Sequence, residues 1–348
     1  MKKTLLFLFI SALSICALLR AAGTEKSVRG NWSINHTEKH GVFLNLSRNH
    51  SNHTMVSLDD VDLQSLSNGP IEFKVQREAG TFYFKGVVRN GEGGGEFELK
   101  LNPQFISEMS RLGYPNIFDD ELFLMASLNL TTYEVKELGS LGYNNMTTDD
   151  LIEMKIHGAS PKYIRELQAL GYSRMPREKL VEMRIHGVTP DFIQSMNNAG
   201  YKNLETEKLV EMRIHGVTPE FIRSMGQLGY KNIPSERLME FSIHGVTPEF
   251  IQDLNKIGYS NLNYSKLVDF RIHGVSPKYI RDLESLGYRD IDPDDLVELR
   301  IFGVSPEYVR QMKNQKGSDP SIRELINRKI HGSDWDDEDH DDEDYDED

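Results

Sequence analysis

The chain has 348 residues, 38% of them hydrophobic, which leaves room for about two domains and excludes a chain disordered throughout. Its formal net charge of −14 is unevenly spread: residues 333–348 hold twelve acids and no Lys or Arg, while the rest of the chain carries −2. A body without basic excess and an acidic end that repels phosphate exclude nucleic acid as an expected partner.

At the N-terminus Lys2 and Lys3 precede an apolar run from Leu5 to Leu19, and Ala21 and Gly23 occupy the −3 and −1 positions of a cleavage after Gly23. Residues 1–23 read as a secretory signal peptide, so the mature chain is expected to be secreted or periplasmic. The only cysteine, Cys16, lies inside this segment, and the mature chain has none for a disulfide. Lipidation at Cys16 is the competing reading, disfavoured by the bulky Ile15 before it. No later stretch approaches the roughly 18 apolar residues of a transmembrane helix.

Residues 24–110 read as a small antiparallel β domain, sandwich or barrel-like. Val42-Phe-Leu-Asn-Leu, Ile71-Glu-Phe-Lys-Val, Thr81-Phe-Tyr-Phe-Lys-Gly-Val-Val and Glu96-Phe-Glu-Leu-Lys-Leu alternate apolar and polar residues or run β-branched and aromatic. The run Asn90-Gly-Glu-Gly-Gly-Gly reads as a flexible hairpin loop between the last two strands. A phosphate loop would need a helix after it, and a strand-like alternation follows instead. Eight Asn-x-Ser/Thr sequons, the first at Asn31, read as chance in an Asn- and Ser-rich chain whose signal looks bacterial.

From Gly113-Tyr114 to Gly287-Tyr288 the pair Gly-Tyr recurs seven times at a constant 29-residue step. A register this strict predicts a helical-hairpin solenoid over 111–332, seven units and a truncated eighth ending in Lys329-Ile-His-Gly, followed by a disordered acidic tail, 333–348. The class is thus α+β and multi-domain. In the unit closing at Tyr201, Leu180, Val181, Met183 and Ile185 populate the first helix, which Gly187 stops with a left-handed residue. Thr189 and Pro190 start the second helix as N-cap and N1, and Phe192, Ile193 and Met196 form its buried stripe. Gly200 ends that helix, with Tyr201 folded back on Met196. Hairpins of two such short helices need stacking to be stable. Leu128-Asn-Leu-Thr-Thr replaces His-Gly-Val-Thr-Pro in the first unit and reads as an N-terminal cap.

Two ladders are the candidate binding residues. His157, His186, His215, His244 and His273 recur before the helix-stopping Gly, where a donor side chain can cap the final carbonyls. At about 10 Å per layer they are too far apart to share a metal ion, and Phe302 occupies the same column. A pH-sensing role is the functional alternative. Arg184, Arg213, Arg271 and Arg300, with Lys155, form a second column that is expected to make solvated and inter-repeat pairs, or to bind an acidic partner as a basic stripe. The acidic tail is a candidate to occupy that stripe, and its carboxylates could collect Ca2+ only weakly and diffusely.

No His-Glu-x-x-His, Gly-x-Ser-x-Gly, P-loop or cysteine nucleophile is present, so no catalytic residue, cofactor or metal ligand is assigned. The units Leu180-Val-Glu-Met-Arg-Ile-His-Gly-Val-Thr-Pro-Asp-Phe and Leu209-Val-Glu-Met-Arg-Ile-His-Gly-Val-Thr-Pro-Glu-Phe, closed by Gly-Tyr, resemble the repeats C-terminal to the membrane metallopeptidase of bacterial BlaR-type antirepressor proteins. The resemblance covers roughly 70–330 and lacks the peptidase part. It implies an extracytoplasmic scaffold or sensor-like module, with no catalytic residue to carry over. The leading expectation is a non-catalytic secreted or periplasmic protein that binds a protein or peptide partner in the cell envelope along its repeats. The alternative is an envelope sensor, regulator or enzyme with its site in the β domain or at its junction with the repeats.

Overall fold

The computed structural model describes residues 27–37, 41–48, 52–57, 68–316 and 319–332. The expected signal segment and acidic tail lie outside them. The chain divides into two compact units between Ile185 and His186.

The first unit opens with strands β1 (Ser27–Thr37), β2 (Gly41–Arg48), β3 (Asn52–Ser57), β4 (Gly69–Arg77), β5 (Gly80–Arg89) and β6 (Glu92–Leu101). They form one antiparallel sheet in the order β3-β2-β1-β6-β5-β4, an open sheet where a sandwich or barrel was expected. Alternation puts Val28, Trp32, Phe82, Phe84, Phe97 and Leu99 on one buried face. The opposite face carries Arg29, Glu72, Lys85, Glu96 and Glu98.

The glycine run behaves differently from the loop its composition suggests. Only Asn90 and Gly91 turn, both at positive φ (53° and 82°), as a two-residue hairpin requires. Gly93, Gly94 and Gly95 are strand residues paired with Val88, Val87 and Gly86. They are small because the backbone crowds them: a Cβ on Gly95 would lie 2.0 Å from the Lys85 carbonyl oxygen, and one on Gly86 would lie 2.7 Å from the Trp32 ring.

Four helices of the first unit follow the sheet without a break in the core: α1 (Pro103–Arg111), α2 (Asp119–Ser127), α3 (Thr132–Ser140) and α4 (Thr148–His157). Phe123 of α2 stacks on Phe97 at 5.8 Å, and the Glu78 carboxylate accepts the Thr132 backbone N–H (3.1 Å) at the start of α3. Helix α1 falls within the stretch read from sequence as β domain. It is the second half of a repeat, N-capped by Asn102 and closed by Gly113-Tyr114. Helices α5 (Pro161–Ala169) and α6 (Arg177–Ile185) complete the unit.

The second unit holds α7 (Pro190–Asn198), α8 (Thr206–Ile214), α9 (Pro219–Gln227), α10 (Ser235–His244), α11 (Pro248–Asn255), α12 (Tyr264–His273), α13 (Pro277–Glu284), α14 (Pro293–Ile301), α15 (Pro306–Lys316) and α16 (Ile322–His331). First helices of successive repeats pack on one another (α8, α10, α12, α14, α16), and second helices do the same (α7, α9, α11, α13, α15). The result is two helical layers with Leu209, Met212, Met196, Phe241 and Leu254 between them, each fully or almost fully buried.

The caps follow the sequence reading. Thr189 and Thr218 accept the N3 backbone N–H of α7 and α9, with Pro at N1. The Tyr201 N–H donates to the Met196 carbonyl (3.0 Å) and the Gly200 N–H to that of Asn197 (3.1 Å), the paired bonds of a Schellman cap. In the eroded first unit Asn129 takes φ 53° where its sister positions have glycine, so the left-handed stop survives the change of residue.

The tyrosine reaches further than a hydrophobic clasp. The Tyr143 hydroxyl donates to the Met175 carbonyl (2.8 Å), that of Tyr230 to Leu262 (2.7 Å), that of Tyr259 to Ile291 (2.8 Å) and that of Tyr288 to Pro320 (2.6 Å), each 32 residues ahead. Burial pushes the phenols of Tyr163, Tyr259 and Tyr279 up to about 12 from 10.0. The folded chain therefore keeps these protons at a pH where the unfolded chain has released them. Their stabilisation is whole below about pH 10 and is lost as pH rises toward about 12. Urea midpoints measured from neutrality upward should be flat over the tyrosine contribution until about pH 10 and then fall. Tyr259→Phe should cost about 1 kcal/mol at neutral pH through the lost hydrogen bond, and should make that alkaline fall shallower.

Candidate functional site

The first helix of each repeat has an inward arc that the sequence pattern alone misplaces. At about 100° per residue, Leu180, Val181 and Met183 span an arc of about 160° with Arg184 near its middle, while Ile185 lies about 40° past the edge. The structure follows this geometry. Leu180, Val181 and Met183 are buried, Arg184 is half-buried, and the isoleucine column turns outward. Ile185 itself is half-buried.

In the first unit Ile156 is 53% exposed; in the second, Ile214, Ile243, Ile272, Ile301 and Ile330 are 47–57% exposed. The second unit thus presents an apolar residue to solvent at the same position of every first helix. Three residues before four of them stand Glu211, Glu240, Asp269 and Glu298, neighbours on the helix surface. An apolar row edged by carboxylates is what this surface offers a partner.

The arginine column is committed to the repeat junctions. The Arg184 Nε donates to the His157 carbonyl (3.1 Å), that of Arg271 to His244 (3.2 Å) and that of Arg300 to His273 (3.2 Å). Each guanidinium also lies over an aromatic ring of the preceding second helix: Arg184 on Tyr163, Arg213 on Phe192, Arg271 on Phe250 and Arg300 on Tyr279, at 4.9–5.0 Å. Arg213 keeps the ring contact, but its Nε has no hydrogen-bond acceptor. The close fit uses the helix-stopping glycine, since a Cβ on Gly158, Gly245 or Gly274 would lie 2.8–2.9 Å from the guanidinium.

Lys155 has Glu134 at the ring position and makes an ion pair with it (2.6 Å). Ser242 also departs, its hydroxyl donating to the His215 carbonyl, and Lys329 stands in the column with its ammonium over the Tyr308 ring at 4.2 Å. The acids two positions before the arginines pair elsewhere: Lys179 with Glu182 (2.6 Å) and Lys208 with Glu211 (3.0 Å), along one helix.

The imidazoles of His157, His186, His215, His244 and His273 are half-buried. At His157, His244 and His273 a guanidinium from the next repeat caps the terminal carbonyl, the duty the sequence reading gave to the imidazole. Among the described residues no group of three His, Cys, Asp or Glu side chains could hold a metal ion, and no helix is long and apolar enough to cross a membrane.

A cleft of about 1220 Å³ lies on the sheet, lined by Arg29, Glu72, Tyr83, Lys85, Glu96 and Glu98 among others. Four of its charges are matched across strands, Arg29 with Glu98 (2.9 Å) and Lys85 with Glu72 (2.8 Å). The hydrogen bond from Lys85 holds the Glu72 carboxyl below its usual range, and that from Arg29 does the same for Glu98. A general acid would need the opposite displacement.

No family model matches the chain, and no curated protein matches it. The candidate site therefore rests on its own geometry. If the arginine column is a junction clasp, Arg271→Gln should lower unfolding stability by about 2 kcal/mol, because it removes a charged hydrogen bond and a ring contact together. Arg281→Gln, an exposed cation of the following helix, should stay within about 0.5 kcal/mol in the same urea titrations.

Proposed function

We propose that this chain is a non-catalytic interaction protein that holds a protein or peptide partner against the exposed isoleucine edge of its repeats. The observation that carries the reading is the regular outward Ile214, Ile243, Ile272, Ile301 and Ile330, each about half exposed where Leu209, Leu238, Leu267, Leu296 and Leu325 of the same helices are buried. Large exposed apolar rows on a folded surface mark interaction sites. Stacked repeats use such rows as extended binding surfaces.

Of the acids beside the isoleucines, Glu211, Glu240 and Asp269 are already paired with Lys208, Arg237 and Lys266 of their own helices, so the edge offers a partner chiefly apolar contact. The partner class is the one expected from sequence, but the contact edge moves from the arginines, which are engaged within the chain, to the isoleucines. On the export reading of residues 1–23, the partner is met outside the cytoplasm, in the envelope or the medium. A sensor, regulator or enzyme acting at the sheet cleft is the weaker reading, because Glu72 and Glu98 of the cleft are ion-paired and shifted away from acid–base work.

Ile243→Ser, Ile272→Ser and Ile301→Ser combined should leave the helical circular dichroism and the urea midpoint close to those of the parent. The same protein used as bait in envelope and secreted-protein extracts should lose the species that the parent retains. Capture of the same species in the same amount by both baits would exclude the isoleucine edge.

A further inference from the structure

One repeat junction is built like its sisters but lacks the side chain that fills them. Ser242 stands in the arginine column, and Phe221 stands at the ring position occupied by Phe192 and Phe250 in neighbouring repeats. The Ser242 hydroxyl reaches the His215 carbonyl, so the polar duty of the arginine is met. A hydroxyl is too small to cover the ring.

The consequence is visible in burial. Phe192 and Phe250 are 7% exposed and Ile193 and Ile251 1% exposed, whereas Phe221 and Ile222 are only half-buried. Among the described residues no cation lies over the Phe221 ring. A Cβ on Gly216 would meet only the Ser242 Oγ, at 3.6 Å, where one on Gly187, Gly245 or Gly274 would meet a guanidinium at 2.8–2.9 Å. The backbone of the junction is unchanged, with Gly216 at φ 71° and Gly245 at φ 71°.

We propose that the notch bounded by Gly216, Phe221, Ile222 and Ser242 is a binding site for an arginine side chain supplied by a protein or peptide partner. The sister junctions define the occupant. At the junctions of Arg213, Arg271 and Arg300 a guanidinium lies over the ring at 4.9–5.0 Å with its edge against the glycine, whereas the Lys329 ammonium, 4.2 Å from the centre of the Tyr308 ring, leaves Gly303 uncovered. The Phe221 face and the Gly216 edge keep that shape with no internal group to fill it.

A carbonyl oxygen has two lone pairs, and one of those on His215 serves Ser242, leaving the other for an incoming N–H. A planar, weakly hydrated guanidinium suits a stacked slot better than a compact, strongly hydrated ammonium. Ser242 directly precedes Ile243, so the slot opens beside the isoleucine edge. The inference goes beyond the partner reading above and can hold even if the isoleucines bind nothing, which is why its test uses a small probe.

The full chain labelled with [15N]glycine is titrated with N-acetyl-arginine amide. The Gly216 amide should move in a saturable way while those of Gly187, Gly245 and Gly274, whose slots are filled internally, stay in place. The neutral N-acetyl-citrulline amide should shift Gly216 at least about fivefold less at equal concentration, since it lacks the cation. Ser242→Arg should fill the slot from within, abolish the response and raise the thermal midpoint. Phe221→Leu, which keeps the apolar volume but not the ring, should weaken the response with the fold intact. A Gly216 amide that does not move, equal movement of all four glycines, or an undiminished response in Ser242→Arg or Phe221→Leu would overturn the assignment.

Discussion

Everything in the repeats depends on how helices of eight to eleven residues dispose of their last carbonyls. A helix this short is marginal by itself, and its C-terminal oxygens have no partner within it. Here the oxygens nearest the end are closed locally by glycine in the left-handed region. Further ties come from the adjacent repeat. The Tyr259 hydroxyl reaches forward to Ile291, and the Arg271 guanidinium reaches back to His244. Each hairpin is therefore finished by its neighbours, so stability accrues through junctions rather than through single helices.

The same clasp explains the surface. Arginine occupies the middle of the inward arc because its planar head must reach the preceding ring and carbonyl, and its aliphatic stem can be buried on the way. With that place taken, the next residue in the helix faces out, and in this chain it is isoleucine. An exposed apolar residue at a constant step makes no such junction contact, and the proposed binding role rests on that. The sheet cleft contrasts with this edge, since its cross-strand ion pairs already satisfy one another.

What could be read from sequence was local. Gly200-Tyr201 and Thr189-Pro190 declare their conformations by residue type, and the structure has the caps they imply. Asn129 shows the limit of that reading in a mild form, because a different residue adopts the same φ. Gly93 to Gly95 show it more strongly. Their composition signals a loop, while their reason for being small is a crowded pairing with Gly86 and a tryptophan more than 60 residues away in the chain. The inward turn of Arg213 was hidden for a related cause: charge suggested a solvated face, but helical spacing places it within the arc set by Leu209, Val210 and Met212. The open slot at Ser242 was present in the sequence as one break in a column, and became meaningful only when the column proved to be a set of clasps.

The central claim is that side chains crossing each junction hold successive repeats together, and native-state hydrogen exchange tests it most directly. The amides of Val217, Val246 and Val275 are bonded alike, to Met212, Phe241 and Phe270 at 2.8, 2.8 and 2.7 Å, so differences in their exchange report on opening of the junctions around them. The account expects Val217, beside the junction without an arginine, to exchange fastest of the three. Equal protection at all three, or greater protection at Val217, would contradict it.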